Sequence, residues 1–156
     1  MTEIAIRPAR GEEADLLSDI CRRAKAHWGY DAAFMVASDE ALTITPAMIA
    51  RGRVLAAENA QHEILGVATA EPLAAKGAFD LGHMFVEPDA MGTGVGRKLF
   101  EAIVALIAAE GAKRLVILAD PHAEEFYRRV GAKRVGDAPS DSIPGRRLPL
   151  LEYEIG

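Results

Sequence analysis

Gly92, Gly94 and Gly96 stand at alternate positions between a short apolar strand and a long helical segment, and no other stretch restricts the fold as strongly. The strand side reads Leu81-Gly82-His83-Met84-Phe85-Val86, alternates, and is bounded by Pro88. On the helix side Val95, Leu99, Ile103, Leu106 and Ile107 recur at helical spacing, with Gly111 placed to end the helix. Glycines at every second position let successive backbone N–H groups turn toward one point without Cβ clashes. Strand, glycine loop and helix N-terminus together make a site for a phosphate-bearing ligand.

Arg97 and Lys98 fall in the first turn of that helix, where cations oppose the helix dipole at a cost of a few tenths of a kcal/mol. An anion bound at the same helix end removes the conflict; two solvated basic side chains that tolerate the dipole are the plainer alternative. A Walker loop is excluded, because counting from Gly92 puts Arg97 where its second glycine must be. A dinucleotide fingerprint also fails at Arg97, and Glu87 to Met91 separate the strand from the first glycine. Asp120 does lie where a ribose-binding acid would.

The rest of the chain supplies strands and helices around this unit, as one domain over residues 1–156. Strands are predicted at 4–7, 54–58, 64–70, 78–86, 115–119, 132–135 and 150–155, and helices at 11–27, from Pro46, at 95–111 and at 120–131. Residues 32–51 are mixed apart from the helix start at Pro46, and 137–149, rich in Pro, Ser, Gly and Asp, reads as a loop. The continuous apolar run Leu115-Val116-Ile117-Leu118-Ala119 is that of a buried parallel strand. Its crossover from the strand at 78–86 should be right-handed, which sets two parallel strand ends beside the glycine loop. The fold class expected is therefore α/β with a mixed sheet.

Composition narrows the function. A formal net charge of −5 argues against general nucleic-acid binding and is compatible with a cationic substrate. No apolar run approaches the roughly eighteen residues of a membrane span, and Met1-Thr2-Glu3 does not open a signal peptide, so a soluble cytoplasmic protein is expected. Cys21 shares a helical stripe with Ala14, Leu17 and Ala24, which suits packing better than nucleophilic work. The histidines at 27, 62, 83 and 122 lack ligand spacing, and no metal is expected.

Two stretches resemble the GNAT superfamily of acetyl-CoA-dependent N-acetyltransferases. Val86-Glu87-Pro88 followed by Met91-Gly92-Thr93-Gly94-Val95-Gly96 is similar to the family's Val-x-Pro strand end and Q/R-x-x-G-x-G/A loop, with Met91 standing where Gln or Arg is usual. Ala123-Glu124-Glu125-Phe126-Tyr127-Arg128-Arg129-Val130-Gly131-Ala132 resembles its second signature, and the order of elements along nearly the whole chain is similar too. The resemblance implies a mostly antiparallel sheet whose parallel strands four and five splay apart. It implies acetyl transfer from acetyl-CoA to an amine of a small molecule or peptide, and a homodimer. A non-catalytic acyl-CoA-binding module on the same fold is the alternative.

For the cofactor the resemblance implies backbone contacts from Met84, Phe85 and Val86 and from the loop Met91, Gly92, Thr93, Gly94, Val95, Gly96, Arg97 and Lys98. His122 is expected beside the cofactor arm, and Phe126 as a core residue bordering the cofactor. Tyr127 matches the family's usual acid for the departing thiolate. For the base, Asp80 and His83 rank equally. Strict strand alternation puts them on opposite faces, so both cannot serve without a bulge. Trp28 and Tyr30, in the cluster His27-Trp28-Gly29-Tyr30-Asp31, are read either as a helix end folded onto the core or as an aromatic wall of the acceptor pocket. Arg146 either reaches over that pocket to bind a substrate carboxylate or lies in a solvated loop.

Overall fold

A computed structural model describes residues 3–156. Seven strands form one sheet in the order β1-β2-β3-β4-β5-β7-β6, with β1 at Ile4–Pro8, β2 at Val54–Asn59, β3 at Ile64–Pro72, β4 at Ala78–Val86, β5 at Arg114–Leu118, β6 at Lys133–Pro139 and β7 at Arg147–Glu154. Only β4 and β5 pair in parallel; every other neighbour is antiparallel. The helices are α1 (Ala14–Ala26), α2 (Ala32–Leu42), α3 (Pro46–Ala50), α4 (Val95–Ala109) and α5 (Glu124–Arg129). The mixed sheet with splayed parallel strands is as expected.

Side-chain alternation sorts the sheet into two cores. Leu55, Ala57, Ala68, Phe79 and Leu81 pack under Val95, Leu99, Phe100, Ile103 and Ile107 of α4 and under Tyr127 of α5. On the other face Val54, Ala56 and Val67 meet Leu17, Ile20 and Cys21 of α1 and Leu42 and Ile44 around α2 and α3. Cys21 is completely buried, and burial pushes its thiol up to about 12, so it packs as a small apolar residue. Phe100, 1% exposed, meets Tyr153 edge-on at 5.1 Å and Tyr127 at 6.3 Å between ring centroids. Phe100→Ala is expected to cost about 4 kcal/mol, read as a lower urea midpoint with an unchanged slope.

Two stretches differ from the sequence expectation. The mixed region contains a full helix, α2, whose N-cap Asp31 accepts a hydrogen bond from Phe34 N at 2.8 Å. It carries no apolar stripe: Ser38 and Leu42 are its only buried residues and Val36 is 77% exposed, so periodicity could not reveal it. Residues Ala32–Ala50 also reach the length and mean hydropathy of a membrane span, 1.2 over 19 residues, although Ser38, Asp39 and Glu40 interrupt its apolar residues. The backbone leaves the helix between α2 and α3, dividing the stretch into pieces of 11 and 5 residues. The second difference is the supposed loop at 137–149, where β6 runs on to Pro139 and β7 begins at Arg147. Both prolines sit where a ladder tolerates them: Pro139 ends β6, and Pro149 turns its nitrogen toward the β5 side, one position beyond the end of β5 at Leu118.

Candidate functional site

The parallel pairing of β4 and β5 lasts for three positions only, ending at Asp80 opposite Val116. Beyond it the strands part, and a cleft of about 510 Å³ opens between Leu81 to Val86 on one side and Ile117 to Ala119 on the other. Across the β3–β4 ladder Glu87 N donates to Leu65 O at 2.8 Å. Opposite residues in an antiparallel ladder alternate between bonded and unbonded pairs. Phe85 therefore bonds to Val67, whereas Met84 and Val86 turn their N–H and C=O groups toward the gap.

At one end of the cleft lies the glycine loop. Gly92 and Gly94 adopt φ of 78° and 91°, the left-handed region that a side chain disfavours, and this turn aims the loop's amides outward. The first helical bond of α4 runs from Lys98 N to Gly94 O at 3.1 Å. The amides of Gly92 to Arg97 donate to no backbone carbonyl among the described residues, which leaves a row of N–H groups at the positive end of a 15-residue helix. Arg97 and Arg129 both line this end, with Arg97 Nη2 3.5 Å from the Arg129 carbonyl oxygen. Phe126 lines it as well and also packs against Gly96, where an added Cβ would come within 3.1 Å of its ring.

The other end is polar. Asp120 caps the turn after β5 and lines the cleft together with Lys25, Trp28 and His122. Its Oδ2 accepts from Lys25 Nζ at 2.6 Å and from Tyr30 OH at 2.8 Å, and its Oδ1 from His122 N at 2.9 Å. Burial pushes the Asp120 carboxyl up, but these donors outweigh it and hold the group at about 2. Trp28 stacks flat on His122 at 4.8 Å, and Tyr30 on Phe34 at 3.9 Å. Arg146 joins through Nη2, which donates to Tyr30 OH at 2.7 Å.

Tyr127 projects from α5 into the cleft between these ends. Its ring is 6% exposed and its hydroxyl makes no hydrogen bond among the described residues. Burial, and after it the charge of Asp120, raises this phenol well above its usual range, so it holds its proton at neutral pH.

The bulge that Asp80 and His83 required is present. Pairing slips so that Thr69 faces His83 and Ala70 faces Leu81, with Gly82 as the extra residue. A Cβ at Gly82 would lie 2.8 Å from Thr69 Oγ1. The slip turns Asp80 and His83 to the same face, opposite Phe79, Leu81 and Met84. His83 is nevertheless fully engaged there. Its Nε2 donates to Ala41 O at 2.9 Å, and its Nδ1 accepts from Thr69 Oγ1 at 2.8 Å. Burial lowers its pKa and favours this neutral form, and the ring stays outside the cleft. Asp80 is raised above the ordinary carboxylate range, by burial and then by the charge of Asp141.

Of the residues expected at a cofactor, Met84, Phe85, Val86, Met91, Gly92, Gly94, Gly96, Arg97, His122 and Phe126 line the cleft. Val95 is buried in the core and offers only its amide, Thr93 turns its hydroxyl back to Ala90 O, and the exposed Lys98 lies outside. Trp28 lines the cleft, whereas Tyr30 and Arg146 reach it through Asp120. Lys25 and Arg129 were missed as site residues, and Asp120 was noted only as standing where a ribose-binding acid would. Asp120 had a signal: it follows a buried parallel strand directly, and ligands in open α/β sheets bind at the carboxyl ends of such strands. Among the described residues no group of three His, Cys, Asp or Glu side chains is placed to hold a metal ion.

A cleft between two parting parallel strands, with unpaired amides and arginines at one end, has the shape and charge to suit an extended anionic ligand. A family model of the acetyltransferase (GNAT) domain matches residues 50–131, more than half of the chain, and the chain belongs to that family. No curated protein matches it. Among solved structures, the PaiA N-acetyltransferase of Thermoplasma acidophilum in complex with coenzyme A is 16% identical, with a TM-score of 0.79 over 98% of this chain and 99% of its own. A GCN5-related N-acetyltransferase from Rhodopseudomonas palustris is 25% identical, with a TM-score of 0.75 over 97% and 95%. A GNAT family acetyltransferase from Brucella melitensis, in complex with acetyl-CoA, is 24% identical, with a TM-score of 0.68 over 99% and 89%.

Proposed function

We propose that the protein transfers the acetyl group of acetyl-CoA to a primary amine of a small molecule or protein, by direct attack while both are bound. The observation that carries this reading is the cleft between β4 and β5, which ends on the uncommitted amides of Gly92 to Arg97. Those amides and the positive helix end suit a pyrophosphate, and the Arg97 and Arg129 side chains add charge beside it. Met84 and Val86 offer unpaired backbone groups to an amide-bearing arm, which would lie in the gap like an added strand. An N–H of that strand can also stabilise negative charge on the reacting carbonyl oxygen. Acetyl-CoA supplies the activated acyl thioester.

Tyr127 is the group positioned to give a proton to the departing thiolate, since its protonated hydroxyl faces the cleft. Asp80 is the better base of the two candidates. Neither lines the cleft, but Asp80 stands at the root of the splay with a raised pKa and no hydrogen bond of its side chain among the described residues, whereas both nitrogens of His83 are committed. A water between Asp80 and the attacking ammonium would carry the proton.

Isothermal titration calorimetry with acetyl-CoA and, separately, NAD tests the reading, followed by an acetylation screen over a broad amine panel. Binding of acetyl-CoA alone with turnover on the panel is expected. Binding without turnover on any amine would indicate an acyl-CoA-binding module, and silence toward acetyl-CoA would show that the glycine loop is not a phosphate cradle.

A further inference from the structure

Arg146, at the end of the β6–β7 connection, is held unlike most arginines of this protein. Arg7, Arg22, Arg51, Arg53 and Arg128 each meet a carboxylate at 3.1 Å or closer. Arg146 comes no nearer than 3.8 Å to one, Asp120, and both oxygens of that carboxylate are already taken. Its guanidinium carbon lies over the stacked rings of Tyr30 and Phe34, 5.1 and 4.9 Å from their centroids, within cation–π range of both. Its Nη2 bonds to Tyr30 OH, while Nε and Nη1 make no hydrogen bond among the described residues. The side chain is only 20% exposed. A planar, immobilised and incompletely neutralised guanidinium is a receptor for an oxyanion.

The charge around it defines which one. Lys25 and Arg146 bring two positive charges and Asp120 one negative, so these three groups sum to one positive charge beside the cleft, with the His122 ring also on Asp120 Oδ1 at 2.8 Å. A monoanion balances it. A dianionic phosphate would leave one uncompensated negative charge in a partly buried place.

We propose that Arg146 binds a carboxylate of the acceptor, so that the acceptor is an amine that also carries a carboxylate, an amino acid or a compound of that type. The inference rests on the acetyl-transfer reading only for the identity of the reacting group; the carboxylate site stands on the geometry of Arg146, Tyr30 and Phe34.

The test uses matched acceptors, amino acids against their carboxamides, the corresponding decarboxylated amines and amines bearing a phosphate monoester. In the wild-type protein kcat/KM is expected to favour the carboxylates by about 10- to 100-fold, the range of a lost hydrogen bond to a charged group. Arg146→Met should abolish that preference, the loss appearing mainly in KM for the carboxylated acceptors, and Arg146→Lys should restore only part of it. Equal kcat/KM across the wild-type pairs, or a preference for the phosphate monoesters, overturns the proposal. So does a preference that survives in Arg146→Met.

Calorimetry of the same compounds with CoA-saturated protein reads the site without turnover. Binding of carboxylated amines that depends on Arg146, with no acetylation of any amine, would keep the site and overturn the transferase reading. Acetylation indifferent to the carboxylate would do the reverse. No turnover and no binding would overturn both.

Discussion

Tyr127→Phe is expected to lower kcat about 100-fold while leaving acetyl-CoA affinity within about threefold of the wild type, the pattern of a lost proton donor. The substitution removes one oxygen and keeps the ring that packs at 6.3 Å from Phe100 and 5.3 Å from Phe126. The hydroxyl makes no hydrogen bond among the described residues, so its removal orphans no partner and stability should change by less than about 1 kcal/mol. Burial and the charge of Asp120 hold the phenol well above its normal range. It therefore stays protonated across neutral pH and can act as an acid in the forward direction, whereas a base of that kind would be spent. Steady-state kinetics beside calorimetry of acetyl-CoA separates the two effects. Undiminished kcat would show that solvent protonates the leaving thiolate, and weakened binding with kcat preserved would make Tyr127 a wall of the cofactor site.

The element that was easiest to read is the one that made the cleft. Gly92, Gly94 and the apolar period from Val95 to Ile107 are local signals, and loop and helix formed where the spacing put them. The harder parts depend on what lies across the sheet. Nothing in the chain near His83 announces that Ala41 O and Thr69 will occupy both its nitrogens, because those partners are 42 and 14 residues away. The Gly82 bulge that sets Asp80 and His83 on one face is a mismatch between two strands, and neither strand alone contains it. Asp120 and Lys25 are 95 residues apart and become a pair only when α1 crosses the end of β5. Helix α2 escaped for a different reason: an Ala-rich helix with few buried positions has almost no period to detect.

That pair has the largest expected effect on stability. Lys25 and Asp120 are 13% and 10% exposed, too enclosed for water to replace a lost partner. Asp120→Ala leaves the Lys25 ammonium facing Tyr30 and Phe34 rings without an anion, and deprives Arg146 of its nearest carboxylate. A loss of about 3 to 5 kcal/mol is expected, or roughly 10 °C in Tm for a chain of this size. Lys25→Met should cost less, because Asp120 keeps Tyr30 OH, the His122 amide and Arg146. Combining it with Asp120→Ala should recover part of the larger loss, since the stranded charge is then gone.

Acid supplies an independent check. The folded carboxyl titrates at about 2, below the ordinary 3.8, so the folded state binds fewer protons than the unfolded one. Its contribution, about 2 kcal/mol, is complete above pH 3.8 and is lost as pH falls through 2. Urea unfolding of the wild type and Asp120→Asn should therefore differ most near neutral pH and converge toward pH 2. A constant gap across that range would mean that the ion pair contributes nothing, and that the packing of Tyr30 and His122 alone closes this end of the cleft.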